Sequence, residues 1–366
     1  MPARVLIAGA GVAALEAALA LRALAPRHVQ VELLGAELHF WFRPLSVLQP
    51  FDEGEATRYQ LPALAAAAGV EYNTGALSGV DAARRLALTS VGDLPYDFLV
   101  LAVGATPVPV VPGAITFRGP ADTDEIRRLL RELLAGEVRR VAFASPAGPT
   151  WSLPLYELAL HTAAQVERAG LRAVELTLVT PEAAPLQLYG RRSSLEVANA
   201  LEQRGVGLRT GRTPVEFRDG VLRLEPDAVL EVDRVVALPR LRGAPFEGVP
   251  QTPDGFVPVD AEAAIRGLGS EYAAGDIVDF PVKHGGVAAQ LADVAASSIA
   301  ARAGAAVRPE LFRARLEGVL LGDEPHVLPP GRPGAGAAKL SARYLTPFLE
   351  RLSLDAAASS PACGQW

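Results

Sequence analysis

The chain has 366 residues, half of them hydrophobic and 21% charged, which is enough apolar material for a large core and too little charge for global disorder. Lys and Arg number 35 against 41 Asp and Glu, a formal net charge of −6, the opposite sign from a generic nucleic-acid binder. The single cysteine, Cys363, excludes an internal disulfide, a CxxC redox pair and a cysteine zinc site.

No charged start leads into an apolar run with a cleavage site, so no secretory signal is expected. No charge-free apolar window reaches about 18 to 20 residues, so no spanning helix is expected and the chain reads as cytoplasmic. Residues 4–9 (RVLIAG) read as a parallel-type strand, 12–25 as a helix stopped by Pro26, and 29–34 (VQVELL) as a second strand. The turn between strand and helix has the pattern G-x-G-x-x-A at Gly9, Gly11 and Ala14. Gly9 permits the tight turn, Gly11 lets backbone approach a pyrophosphate, and Ala14 lets the helix pack on the strand, with the helix N-terminus facing the negative charge. Strand–turn–helix–strand is the context in which this fingerprint carries weight.

Short strands follow at 70–80 and 84–107, the latter holding LPYDFLVLAVGA, a buried strand ending at Gly104 and Ala105. Residues 120–138 read as an amphipathic helix with Asp122, Thr123 and Asp124 as capping candidates. The plan then repeats: strand 140–144, helix 154–168, strand 174–180, helix 193–204, and the short strands LRTG, VEFRDG, VLRLEP and DRVVAL. Residues 253–265 and 269–276 return to the first style, followed by the helix GGVAAQLADVAASSIAARAG. The last sixty or so residues are rich in Pro and Gly, with one periodic piece, KLSARYLTPFLERL.

Five stretches carry a resemblance: RVLIAGAGVAALEAALAL, FWFRPLSVLQPF, LPYDFLVLAVGATP, YAAGDIVDFPVKHGGVAAQLADVAA and KLSARYLTPFL. Together they resemble the FAD-dependent pyridine nucleotide-disulfide oxidoreductase superfamily. Within it they are similar to the branch of type II NADH dehydrogenase and sulfide:quinone oxidoreductase, and most of all to small bacterial FAD-dependent oxidoreductases of unassigned substrate. The resemblance implies an α/β fold with two Rossmann-like dinucleotide-binding domains. It implies a discontinuous FAD domain (1–115 and 250–305), a second Rossmann-like domain (116–249) with a degenerate NAD(P)H site, and a C-terminal module (306–366). It further implies FAD as cofactor, an acceptor such as a quinone, and a possible homodimer. NAD(P)H stays open as the reductant. The alternatives are a non-nicotinamide donor, or a flavin-bearing electron-transfer or binding protein with little catalysis of its own.

The resemblance also assigns residues. Gly9, Gly11 and Ala14 would lie under the pyrophosphate, Val80 at the adenine, and Gly104 at the strand end closing over the nucleotide. Gly275 and Asp276 would meet the ribityl chain or flavin-side phosphate. Arg43 and Pro44 would line the flavin, and Lys283, His284 and Gly285 would lie near its ring. The ribose carboxylate expected near Gly35 is replaced by Glu37. Gln290 and Leu291 stand where a polar pair is usual, and His284 where glutamine is common. The redox cysteines of sulfide oxidoreductases are absent, which argues against persulfide chemistry.

Among candidate catalytic groups, His284 could donate a hydrogen bond or move a proton at neutral pH, or could simply anchor its loop. Lys283 could favour negative charge on a reduced flavin, or pair with Asp276 or Asp279. Glu157 could be a base facing the flavin, or a structural carboxylate. Trp151 and Tyr156 read as packing or as ligand-stacking groups. His28, His39, His161 and His326 lack metal-ligand spacing, so no metal site is expected. Arg191 and Arg192 read as a solvated helix start, with recognition of a 2′-phosphate as the other reading. Lys339, Arg343 and Arg351 give the C-terminal piece a weak membrane-surface character.

The stretch RVAFASPAGPTWSLPLYELAL, residues 140–160, keeps the frame of a dinucleotide turn without its glycines. Ser145 stands opposite Gly9 and Ala147 opposite Gly11. Pro146 fixes φ and offers no N–H to a phosphate. Pro149, Pro154, Tyr156 and Glu157 are similar to the proline-and-YE turn of the sulfide branch. They imply a turn that faces the flavin and meets a donor other than NAD(P)H.

Overall fold

The computed structural model describes residues 1–322, 326–328 and 340–359; Lys339, Cys363 and the side chain of His326 lie outside the described residues. Two five-stranded sheets dominate the fold, and both are parallel throughout. In the first, the strands lie in the order Glu271–Ala273, Phe98–Leu101, Ala3–Ala8, Val29–Gly35 and Glu71–Thr74. In the second the order is Ile115–Thr116, Arg234–Ala237, Arg140–Ala144, Glu175–Val179 and Val206–Arg209. The inner strands, Ala3–Ala8, Phe98–Leu101, Arg140–Ala144 and Arg234–Ala237, read as largely apolar runs because helices cover both faces of such sheets. Leu33, Leu99 and Leu101 are fully buried, and each contributes roughly 1.5–3 kcal/mol by leaving water.

In each sheet the strand order reverses beside the first βα strand, and the carboxyl ends there open a crevice. The two units repeat each other down to single hydrogen bonds. Gly9 N–H donates to Leu34 O at 2.7 Å, and Ser145 N–H donates to Val179 O at 2.9 Å. Ala102 N–H donates to Ala8 O, and Leu238 N–H to Ala144 O. At the other end of the same strands, Asp97 accepts from Arg4 N–H as Asp233 accepts from Arg140 N–H, both at 2.8 Å.

Seven α-helices occur among the described residues. α1 (Val12–Leu24) packs along α6 (Gly285–Arg302), and both helices bury many alanines, Ala17 and Ala18 in α1 and Ala292 and Ala295 in α6 among them. Small side chains let these two helices come close. α2 (Leu61–Ala68), α3 (Thr123–Leu134), α4 (Leu153–Arg168), α5 (Arg191–Gln203) and α7 (Leu345–Ser359) complete the set. Glu16 of α1, fully buried, accepts hydrogen bonds from the backbone N–H groups of Tyr344 (2.8 Å) and Leu345 (2.6 Å) and so caps α7. That carboxylate answers the unpaired donors every helix leaves at its first turn.

Two expected helices differ in their bounds. The helix expected over 120–138 spans Thr123–Leu134. Asp122 precedes it without a capping side-chain bond, because Arg118 takes its carboxylate through both backbone N–H and guanidinium. The helix expected from 193 begins at Arg191, directly after Gly190 in a left-handed conformation. Residues 253–265 form isolated bridges, among them Val257 with Val278 and Val259 with Ile265.

Candidate active site

A cleft of about 1000 Å³ runs from the carboxyl end of the first sheet to the facing edge of the second. Its floor is the turn after the first strand. Gly9 has φ +132°, and a Cβ there would overlap the carbonyl oxygen of Ala102, so only glycine fits. Gly11 and Gly104 have nothing within 4 Å of where a Cβ would point, and both line the cleft. Ala14 is fully buried under the turn, where the helix meets the strand. A turn of only three residues separates Ala8 from the start of α1 at Val12, which brings the helix N-terminus to the cleft. Open backbone at two glycines beside a helix N-terminus is what a pyrophosphate requires, so the residues present fit the diphosphate of a dinucleotide.

Glu37 is exposed and lines the cleft beyond the second strand. Its backbone carbonyl, with that of Gly35, accepts from the Tyr72 hydroxyl, which fixes this corner. Arg43 and Pro44 line the opposite wall with Phe40, Trp41 and Phe42. Asp276 reaches the cleft after Gly275, which has φ +84° and would bring a Cβ to 3.0 Å from the Ala13 methyl. Burial pushes the Asp276 carboxyl above its ordinary value, and the Lys283 ammonium opposes that shift.

The groups considered for catalysis separate here. His284 and Gly285 line the cleft. His284 is 9% exposed, sits at the cap position of α6, and packs in a tilted pair with Trp151, ring centroids 4.3 Å apart. Lys283 points away from the cleft. Its ammonium donates to the backbone carbonyls of Asp276 (2.9 Å) and Val278 and lies 3.7 Å over the ring of Phe256. Burial lowers its pKa to about 8, against the pull of Asp276 and Asp279. It therefore anchors the turn that presents Asp276. Glu157 does not line the cleft either; it is fully buried in the second unit and accepts from Leu321 N–H at 2.8 Å. Val80 is buried beside the cleft without lining it, its N–H donating to Glu247 O, while Ala76 and Leu77 at the start of the same ribbon form the wall. Gln290 is turned away onto the backbone of Arg315, giving and accepting one bond.

Sequence reasoning missed Arg118 and Leu340, both on the cleft wall. Arg118 follows Phe117 on the segment that crosses into the second unit, and its guanidinium is paired with Asp122, 3% exposed. Leu340 packs against the start of α6, 2.8 Å from where a Cβ on Gly285 would lie. Only the tertiary fold brings these residues to the glycine turn.

The second unit lacks the equivalent cradle. Eight residues, Ser145 to Ser152, separate the strand ending at Ala144 from α4, against three in the first unit. Pro146 is buried, the Pro149 carbonyl accepts from Leu241 N–H at 2.8 Å, and Thr150 Oγ1 donates to Pro239 O at 3.0 Å. Trp151, Leu153 and Pro154 from this stretch line the cleft, whereas Tyr156 is fully buried. Arg191 and Arg192 are exposed at the start of α5, and Arg192 pairs with Glu196. Among the described residues no three His, Cys, Asp or Glu side chains gather as metal ligands, and no helix is long and apolar enough to cross a membrane.

Two doubly wound parallel sheets with one glycine cradle define a dinucleotide-binding α/β protein. The model of the pyridine nucleotide-disulphide oxidoreductase family matches residues 3–298. The chain belongs to that family and is an FAD-dependent oxidoreductase. Its fold is similar to that of the sulfide:quinone oxidoreductase of Aquifex aeolicus, with a TM-score of 0.80, 18% identity, and coverage of 90% of this chain and 85% of that one. It is also similar to a NAD-dependent persulfide reductase from A. fulgidus, with a TM-score of 0.61, 18% identity and 87% of this chain covered, though the match spans only 62% of that longer protein. A ferredoxin reductase from Rhodopseudomonas palustris gives a TM-score of 0.63 and 20% identity over 88% of this chain and 80% of that one.

Proposed function

We propose that this oxidoreductase carries electrons from a donor other than NAD(P)H to an apolar, planar acceptor such as a quinone. The observation that carries the reading is the contrast between the two turns. The first unit has a three-residue glycine turn open to the cleft; the second has an eight-residue, proline-bearing turn bound to its own neighbours. A pyrophosphate needs bare backbone and N–H groups, and prolines supply neither.

In this reading Gly9, Gly11, Gly104 and Gly275 admit the FAD diphosphate, Glu37 takes the ribose hydroxyls, and Asp276, held by Lys283, meets the flavin side. Bound FAD would supply the two-electron redox chemistry. His284 stands on the cleft wall as the group able to exchange a proton with the bound partner. Phe117, Trp151, Phe246 and Leu340 give the wall an apolar character suited to a quinone ring. The Aquifex aeolicus relative is named for sulfide and quinone. Here the one cysteine is Cys363, so the persulfide route of a thiolate beside the flavin is not part of the proposal.

The test is anaerobic mixing of the purified flavoprotein with NADH, with NADPH, and with small non-nicotinamide reductants. The reading expects the flavin to stay oxidised with both nucleotides and to bleach with a small donor. Prompt bleaching by either nucleotide contradicts it. Reduction by a protein partner alone supports an electron-transfer role instead.

A further inference from the structure

We infer that Trp151 is a positioning residue for His284, holding the imidazole on the cleft wall where it can exchange a proton with whatever is bound there. The inference rests on the reading of the cleft as the flavin site, and it gives the rebuilt turn of the second unit a use.

Loop length comes first. The five residues by which this turn exceeds its counterpart carry the chain away from its own sheet and toward the first unit. Thr150 is fixed on both sides. Its hydroxyl donates to Pro239 O within the second unit, and its backbone forms a parallel bridge with Val282 of the first. Val282 lies two residues before His284, so the bridge sets Trp151 beside the imidazole.

Packing completes the clamp. The Trp151 and His284 rings lie 4.3 Å apart and tilted by 31°, close enough for the indole to limit the imidazole's rotation. Behind Trp151, the ring of Tyr189, 6% exposed, meets it edge-on at 6.1 Å and 67°. Gly286 lies close beside the imidazole, where an added Cβ would sit 3.0 Å from His284 Cε1. The His284 carbonyl accepts from Ala288 N–H at 2.9 Å, which ties its backbone to the first turn of α6. The imidazole is thus packed by both the glycine backbone and the indole.

Proton transfer makes this placement matter, because donor and acceptor must come within about 2.6–3.2 Å. An imidazole free to turn about its side-chain bonds would spend much of its time outside that range. The other titratable groups on the cleft wall are Glu37, His39, Arg43, Arg118 and Asp276. Among the described residues, none of them makes a ring or cation–π contact with the rebuilt turn. Chain atoms do not change in this role: the proton leaves or joins one imidazole nitrogen, and the electrons move between donor, flavin and acceptor.

The experiment compares wild type, Trp151→Phe, Trp151→Ala and His284→Gln, each purified with its flavin. Two quantities are read: the His284 ring-proton resonances, assigned by their loss in His284→Gln, and the flavin midpoint potential as a function of pH. The expected result has the His284 resonances displaced by the aromatic face in wild type and in Trp151→Phe. In Trp151→Ala they return to the range of a solvated histidine. The potential–pH curves of Trp151→Ala and His284→Gln should depart from wild type in the same sense, with Trp151→Phe restoring it. Resonances unmoved in Trp151→Ala, or a Trp151→Ala curve that overlays wild type, would overturn the inference. A His284→Gln curve that overlays wild type would do the same. A protein that purifies without flavin would instead count against the reading of the cleft, and the resonances would still report on the ring pair.

Discussion

The phenol of Tyr156 donates a 2.8 Å hydrogen bond to Glu182 Oε2. Glu182 lies three residues beyond Val179, which pairs with Ala144, and Glu37 lies three beyond Leu34, which pairs with Ala8. The two glutamates therefore hold the same place in the two units. Glu37 is exposed on the cleft, whereas the Glu182 carboxylate is turned onto Tyr156 and Thr180, with burial pushing its pKa up. The carboxylate that would meet a nicotinamide nucleotide's ribose is already occupied.

Tyr156→Phe should leave that buried carboxyl short of a donor. A loss of about 1–3 kcal/mol is expected, read as a lower urea midpoint. Titration with NAD⁺ or NADP⁺ should still show no saturation in the variant, because the eight-residue turn is unchanged. Tight nucleotide binding by Tyr156→Phe would mean that the turn is a weaker barrier than its geometry indicates.

Gly11 gives a separable test of the first cradle. A valine there meets nothing in the protein, so global stability should change by only about 0.5 kcal/mol. The side chain would fill the space meant for the pyrophosphate, and flavin content per chain should fall at least tenfold. Gly9→Ala should behave differently and lose fold and flavin together, because its Cβ overlaps Ala102 at φ +132°.

Lys283→Met tests anchoring against catalysis. Removing the ammonium takes one donor from the Asp276 carbonyl and leaves the Val278 carbonyl with the Phe280 N–H alone. A loss of about 2–3 kcal/mol and a weaker hold on flavin are expected, with the pH dependence of flavin reduction unaltered. A changed pH dependence with full flavin content would restore a catalytic role for the lysine.

Glu16 and Asp293 set a pH dependence of their own. The two carboxyls face each other between α1 and α6, with Arg343 and Glu310 nearby, and burial beside Glu16 pushes Asp293 up to about 8. A carboxyl raised in the folded state is protonated there while the unfolded chain has already lost its proton. The folded state then binds more protons, so stability falls as pH rises from the ordinary carboxylate range toward about 8. Asp293→Asn should flatten that slope, and proteolysis of α7 should lose its increase at alkaline pH. An unchanged slope would show that the pair does not titrate in this window.

The first nucleotide unit was legible in the sequence because its demands are local. Gly9, Gly11 and Ala14 are each dictated by neighbours within a few residues, and the repeat at 140–144 shares the same strand logic. Ser145 could be set against Gly9 by that logic alone. The inward turn of Lys283 and Glu157 could not be read, since which face of a segment meets the core is fixed by residues far away, Phe256 and Leu321 among them. Asp122 reads as a helix cap on local rules, yet a stronger guanidinium partner four residues back wins its carboxylate. Trp151 reads as packing, and it does pack; that its neighbour is His284, across the boundary between units, follows only from the length of the rebuilt turn.

The most direct measurement is the visible spectrum of the purified protein, followed by denaturation and quantitation of what is released. Oxidised-flavin bands and close to one FAD per chain, freed without proteolysis, are the predicted result. A colourless protein that releases no FAD, and takes none up when it is supplied, would contradict the account of the cleft.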